Sequence, residues 1–196
     1  MITILMPIYN GIEFIETSVN SIINQTYKKW ELIIGINGHK QNSEVYQTAL
    51  KYQNKKINVL DLYNCKGKSN SLNEMIKYSS YNFIALLDVD DYWELTKLEE
   101  QEPYINKYDI VGTKCQYFGD SNIIPEIPVG DLKDYDFLKC NPIINSSCII
   151  KKELCKWNSK VKYLNDYELW LRLWKQNKRF YNLNKILVKH RIHKQS

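Results

Sequence analysis

Three carboxylates, Asp88, Asp90 and Asp91, fall within four positions at the end of the stretch FIALLDVDDYW. Carboxylates this close repel one another and raise each other's pKa unless a cation joins them. A hard divalent ion, Mg²⁺ or Mn²⁺, takes oxygen ligands and resolves that conflict, and it could hold a diphosphate at the same time. The simpler alternative is an acidic turn that caps the next helix, since Asp favours caps and turns. The residues before the acids bear on the choice. Phe83 to Leu87 is a short apolar run bounded by charge, which reads as a buried strand of an α/β sheet. Ligands of such sheets bind beyond the carboxyl ends of the strands, where these acids stand.

The elements that must position this tip can be read in order. Ile2 to Met6 reads as a first strand, stopped by Pro7, which cannot donate to a ladder. Ile12, Ile15, Val19, Ile22 and Ile23 share one helical face, with Asn10 as the expected N-cap and Glu13 as its capping-box partner. Trp30 to Ile36 is a second strand closed by an Asn37-Gly38 turn. Ser43 caps a helix reaching Asn54, and Ile57 to Leu62 is a third strand. Leu72, Met75 and Ile76 mark a helix with Ser69 as its expected cap. The alternation β-α-β-α-β-α-β predicts a mostly parallel, Rossmann-like sheet with helices on both faces.

The second half is less regular. A helix is expected from Thr96 to about Tyr104, shortened by Pro103, then a strand from Asp109 to Phe118 and an ordered loop over 121–130. Asp131 to Leu138 reads as a short helix and Ile143 to Ile150 as a strand. Asn165-Asp166 opens a helix whose Tyr167, Trp170, Leu171 and Trp174 share a face. Phe180 to Ile192 is one or two closing strands.

The composition excludes several classes. With 196 residues the chain suits one domain, and 44% hydrophobic against 25% charged residues is the balance of a packed protein rather than a disordered one. The net charge of +5, carried mainly by scattered lysines, gives a mild preference for anions. It lacks the basic stripe of a nucleic-acid binder. Five cysteines, an odd number with no Cys-x-x-Cys pair, read as reduced thiols of a cytoplasmic protein rather than a disulfide frame or zinc site. No apolar run is long enough to span a bilayer, and no secretory leader is apparent.

Several segments together resemble a family 2 glycosyltransferase of the GT-A fold. ITILMPIYNG is similar to that family's first strand and Pro-x-Tyr-Asn loop. SVNSIINQTYKKWELIIGINGH resembles its first helix, Gln-Thr-Tyr turn and second strand. GKSNSLNEMI, LLDVDDYW, LNDYELWLRL and HRIHKQS resemble, in the family's order, its Gly-Lys segment, its Asp-x-Asp-Asp strand end, its acidic pair before an aromatic helix, and its closing Arg-x-His-x-x-Ser. The resemblance implies one GT-A domain over 1–196, with a nucleotide-binding half of about 1–93 and an acceptor-binding half of about 94–196. It implies an inverting transfer from a nucleotide-sugar donor, a UDP-sugar first among them, by a hexosyl- or N-acetylhexosaminyltransferase.

The same resemblance assigns roles to residues. Pro7, Tyr9, Asn10, Asn37, Lys68 and Asp88 would hold the nucleotide. Asp88, Asp90 and His193 would hold Mn²⁺ or Mg²⁺, with Asp91 shaping the turn. Asp166 would be the general base, although the local sequence suits a plain N-cap as well. Departures stand out: Asn37 occupies a position where the family usually has an Asp reading the base, which weakens the case for uracil, Asn165-Asp166 stands in place of two acids, and His190 replaces the usual Tyr. The acceptor would be a glycan, a lipid-linked sugar or a protein, and a homodimer could complete its site. Two other functions compete. A nucleotidyltransferase would carry a Gly-rich, Arg-bearing loop where this chain has Tyr9-Asn10-Gly11. A non-catalytic nucleotide- or glycan-binding module would be expected to have lost Asp90 or Asp166.

Overall fold

The computed structural model describes residues 1–193. In chain order the elements are β1 (Ile2–Ile8), α1 (Ile15–Ile23), β2 (Trp30–Asn37), α2 (Glu44–Leu50), β3 (Ile57–Leu62), α3 (Lys68–Met75), β4 (Phe83–Leu86) and β5 (Tyr92–Trp93). Then follow α4 (Lys97–Ile105), β6 (Ile110–Gly119), β7 (Gly130–Asp131), β8 (Ile149–Lys151), α5 (Asn165–Lys175) and β9 (Phe180–Ile192). The strands form one sheet in the order β3-β2-β1-β4-β8-β6-β9-β5, with β7 beside β9. The four strands of the first half are parallel, as expected. The second half makes the sheet mixed, because β8 runs antiparallel to both β4 and β6. β6 and β9 then pair in parallel from Ile110↔Phe180 to Gly119↔Ile192.

Period-two alternation sorts the side chains onto two faces. Ile2, Ile4, Met6 and Ile8 of β1 pack with Ile15, Val19 and Ile22 of α1 and with Leu98 and Ile105 of α4. Leu5 of β1 packs on the other face with Leu72 and Met75 of α3 and with Leu169, Trp170 and Leu173 of α5. Trp170 is fully buried. Truncating a buried Trp to Ala costs about 3–5 kcal/mol, so this contact fixes how α5 lies on the sheet.

Several local expectations are corrected. β1 continues through Pro7 to Ile8, paired with β2. Pairing with β4 ends at Leu5↔Leu86, and Leu5 O accepts from Leu87 N. Alternate residues of a strand address the same neighbour, so the donor that Pro7 lacks would point to a side where β4 has already ended. Asn10 does not cap the first helix. Gly11, at φ 83°, leads into a single 3-10 turn over Ile12–Phe14, with no side-chain cap. Ser43 does cap α2, accepting from Tyr46 N at 3.2 Å. Pro103 lies inside α4, which runs two residues beyond it. Asp131 ends β7, and residues 132–138 form turns rather than a helix. Asp131 Oδ1 accepts from Lys133 N and Asp136 Oδ1 from Leu138 N, local bonds that compete with helical ones. Of the expected 143–150 strand only Ile149 and Ile150 join the sheet, in β8, because Asn145–Ser147 forms a 3-10 turn.

α4 carries a lysine into the core. Lys97 is fully buried, its Nζ donating to Gln101 Oε1 at 2.6 Å and lying 4.1 Å from the centre of a Trp93 ring. Burial lowers its pKa from 10.5 to about 7. The folded protein therefore gives up a proton that the unfolded chain keeps between those values. The penalty for burying the charge is complete below pH 7 and shrinks as pH rises toward 10.5. The melting temperature of Lys97→Met, taken relative to the parent, should be more favourable at acid pH than at alkaline pH. A difference independent of pH in thermal-melt series would show that the amine does not titrate in this way.

Candidate active site

The ends of β1, β2, β4, β6 and β9 and two helix starts converge at the carboxyl edge of the parallel half of the sheet. The cleft they enclose has a volume of about 860 Å³, and Pro7, Tyr9, Asn10, Asn37, Lys68, Asp88, Asp90 and His193 all line it. Every sequence-predicted nucleotide and metal residue is thus brought to one place. Gly11, Glu13, Phe14, Gly67, Val89 and Asp120 complete the wall. Asp120 and His193 belong to the second half of the chain, so the cleft is not built from residues 1–93 alone.

The three acids meet three different fates. Asp88 Oδ1 accepts from Lys68 Nζ at 2.5 Å, and Oδ2 accepts from Asn145 Nδ2 at 3.0 Å. Its backbone N–H donates to Ser146 Oγ at 3.1 Å. Burial alone would raise the Asp88 carboxyl, but the Lys68 charge and the two side-chain hydrogen bonds outweigh it and hold the pKa below the usual value. Asp90 Oδ2 lies 3.0 Å from His193 Nε2. Asp91 turns away from the cleft into the protein, with its side chain fully buried. There His190 Nδ1 sits 2.9 Å from Oδ2, and Arg191 N donates to Oδ1 at 2.8 Å. Burial raises the Asp91 pKa, and the hydrogen bond and charge of Asp91 raise that of His190 despite the burial of the ring. The turn itself closes through Asp91 N donating to Asp88 O.

The supporting groups explain why this turn is held. Trp93 Nε1 donates to Ser146 O at 2.7 Å, and Ser147 Oγ accepts from Thr113 N at 3.2 Å. These bonds pin the 3-10 turn that carries Asn145. Arg191 donates Nε to Asp90 O at 3.1 Å, with its guanidinium 4.1 Å from the Phe14 ring centre and 4.3 Å from that of Phe118. A planar cation between two aromatic faces is well held. Asn145, Ser146 and Phe14 have partners distant in sequence, and no local pattern announces them. Arg191 belongs to the closing Arg-x-His segment, but its bond to Asp90 O spans 101 positions and is not legible there.

The base-side wall is shaped by glycine. A Cβ on Gly38, at φ 77°, would come within 2.7 Å of the Tyr9 ring. The absence of a side chain there lets Tyr9 lie across the turn, 5.4 Å from the His39 ring and 58% exposed to the cleft mouth. Asn37 ends β2 nearby and is buried. The cap of α3 is Gly67 rather than Ser69, which makes Lys68 the first helical residue. Ser69 Oγ instead accepts from Asn165 Nδ2 at 3.0 Å, tying the start of α5 to the start of α3.

Asp166 sits on that tie. The α5 N-cap is Leu164, in a left-handed conformation at φ 52° with no side-chain cap bond, so Asp166 is not the cap. Asn141 Nδ2 donates to its Oδ2 at 3.3 Å. Asp166 is half-buried, and its charge contributes to the raised pKa of Lys68. It does not line the cleft wall that holds the other residues. Trp170 and Trp174 are packing residues, Trp174 stacking on Phe137 at 5.6 Å.

A curled α/β sheet with a Lys- and Asp-lined cleft at the switch from parallel to antiparallel strands defines the GT-A class of folds. Its neighbours among solved structures agree. S. aureus TarS in complex with UDP-GlcNAc matches with a TM-score of 0.78 at 18% identity, over 98% of this chain and 59% of that one. The mannosyltransferase PcManGT from Pyrobaculum calidifontis, in complex with GDP-Man and Mn²⁺, matches with a TM-score of 0.75 at 14% identity, over 100% of this chain and 58% of that one. Residues 3–147 match the profile of Glycosyl transferase family 2, and the chain belongs to that family. Curated relatives in Escherichia coli include the UDP-Glc:alpha-D-GlcNAc-diphosphoundecaprenol beta-1,3-glucosyltransferase WfgD. It is 29% identical over 90% of this chain and 71% of its own length. The O-antigen biosynthesis glycosyltransferase WbnJ is 29% identical over 100% of this chain and 81% of its own.

The Lys68–Asp88 pair should behave as a unit. Lys68→Met leaves Asp88 ionised and short of a partner, and it should lower the melting temperature. Asp88→Asn in that background should recover part of the loss. Additive losses in the double-mutant cycle would mean that the two groups act independently.

Proposed function

We propose that this protein transfers a sugar from a nucleoside diphosphate donor to an acceptor hydroxyl, with inversion at the anomeric carbon. The observation that carries the reading is the convergence of Tyr9, Asn37, Lys68, Asp88, Asp90 and His193 on one cleft in a family 2 fold. Tyr9 offers a ring for the base. Asn37 offers an amide that can both donate and accept on a base edge, which keeps uracil as the first candidate. Lys68 is placed to face the phosphates as a compact cation oriented by Asp88.

The charge of the cleft supports a cation in the site. Glu13, Asp88, Asp90 and Asp120 stand against Lys68 there, so a diphosphate would meet a surplus of negative charge. Asp88 is engaged by Lys68 and Asn145; Asp90 and His193, which line the same cleft, offer the carboxylate and imidazole that suit such an ion. Their facing atoms are 3.0 Å apart, the span of adjacent ligands on an ion with bonds of about 2.1 Å. Among the described residues no three His, Cys, Asp or Glu side chains form a ready-made metal cluster. Two protein ligands suffice where substrate phosphates and waters supply the rest. Bound there, Mn²⁺ or Mg²⁺ would neutralise charge on the departing diphosphate.

Asp166 is the proposed base. In the transfer, the acceptor oxygen forms a bond to the anomeric carbon while the bond from that carbon to the diphosphate oxygen breaks. The hydroxyl proton passes to the Asp166 carboxylate, and the electron pair leaves on the diphosphate. The start of α5 is tied to the start of α3, and this holds Asp166 on the side of the cleft where Lys68 lies. Residues 1–93 would supply most donor contacts and 94–196 the acceptor side, within one domain. The diphosphoundecaprenol named for WfgD makes a lipid-linked sugar the first acceptor to try, ahead of a free glycan or a protein. The five free cysteines suit the reducing cytoplasm.

Asp166→Asn should keep nucleotide binding and lose transfer by about 10²–10⁴-fold, the usual contribution of a general base. Near-normal transfer would remove it from that role. Thermal shift provides a second check: UDP should stabilise the protein more with Mn²⁺ than without, and Asp90→Ala should erase the difference. An undiminished Mn²⁺ response in Asp90→Ala would move the ion elsewhere.

A further inference from the structure

Residues 154–178 carry six lysines and arginines against two acids, a local net charge of +4 on α5 and the loop before it. One of the two acids, Glu168, is engaged by Arg172 at 3.2 Å, and the other, Asp166, turns toward the active cleft. Lys156, Lys160, Lys162 and Lys175 are exposed. The same segment displays apolar side chains to water. Tyr163 is 84% exposed and Leu164 is 69% exposed. Together with Leu171, Arg172 and Lys175 they line a second cleft of about 590 Å³ along the outer side of α5. The inner side of the helix buries Leu169, Trp170 and Leu173, so the outer side is not needed for the core.

Large exposed apolar groups with a polar rim mark an interaction surface. Glu168 lies in this cleft but is paired with Arg172, and the positive excess around it selects the partner. Lysines beside an aromatic and an aliphatic side chain match a bilayer, with the ammonium groups at anionic headgroups and the apolar tips below them. No helix among the described residues is long and apolar enough to cross a membrane, so the contact would be peripheral. We infer that the loop 160–164 and the outer side of α5 dock this protein on an anionic lipid surface. The docking loop ends one residue before Asn165, whose neighbour is Asp166, so the surface would bring the helix carrying Asp166 close to the headgroup layer. The inference goes beyond the transfer reaction and does not depend on it.

Co-sedimentation of the intact protein with phosphatidylglycerol vesicles, and separately with phosphatidylcholine vesicles, tests it without any variant. Binding should be strong to the first, weak to the second, and lost at high salt. Lys160→Glu, Lys162→Glu and Tyr163→Ser combined should weaken the binding at least about tenfold, since each basic residue near such a surface contributes several-fold. The variant's melting temperature checks that it is folded, and release of UDP in the presence of a donor sugar reads the active cleft separately. Equal binding to both vesicles, no binding to phosphatidylglycerol, or undiminished binding by a folded variant would each overturn the inference. So would a concentration-dependent dimer that the same three substitutions abolish, because a second copy would then cover this face.

Discussion

Ionised carboxylates cannot be gathered at the end of a buried strand unless each finds its own answer. That constraint organises the protein. The turn after β4 sets three acids side by side, and the fold distributes them. Asp88 is matched by a lysine and an amide, Asp90 faces an imidazole at the cleft, and Asp91 is drawn inside to His190 and a backbone N–H. The answers come from three elements: α3 and the 3-10 turn at 145–147 serve Asp88, and the end of β9 serves Asp90 and Asp91. Those elements must therefore meet at one point, and the mixed half of the sheet allows it. β8 inserts between β4 and β6, which brings the 3-10 turn against Asp88, and the long β6–β9 pair carries the end of β9 back to the same edge.

Much of this could be read before folding, and the pattern of success is physical. β1 to β4 and their helices are legible because their apolar spacing is local. The acid turn is legible because its members are contiguous. Asp91 is assigned to shaping the turn by the sequence reading, and it does close the turn, but its burial against His190 lies beyond what the neighbouring residues can express. Asn145 and Arg191 touch the acid turn from 57 and 101 positions away; nothing around Asn145 marks it, and the closing Arg-x-His segment marks Arg191 without telling what it contacts. The misplaced caps have another cause. Ser69 and Asn10 are sound cap residues, but left-handed or extended glycines at 67 and 11 open those helices instead. Ser69 is thereby free to receive Asn165, a tertiary use that outranks local propensity.

The two halves of the molecule also differ in what holds them. The parallel half is bound by apolar packing on both faces, the kind of cohesion that tolerates exchange of similar side chains. The half around β8 and β9 depends on a buried polar network. Gln101 joins α4 to Val111 O and Ser147 O at 2.8 and 2.9 Å, and Lys97 joins Gln101. Such networks specify one arrangement when complete and become costly when one member is removed. The acid turn rests on this second kind of support through Trp93 and Ser146.

The bond from His190 to Asp91 spans 99 residues of chain. A contact of that range repays its loop-closure entropy only after the intervening strands have formed. During synthesis, then, the amino-terminal sheet can assemble while Asp91 still faces water and the cleft has neither His193 nor the Arg191 clamp on Asp90. Until β9 docks, Asp91 lacks its His190 partner and Asp90 lacks the Arg191 clamp, so the acid turn is completed by the strand most distant from it in sequence.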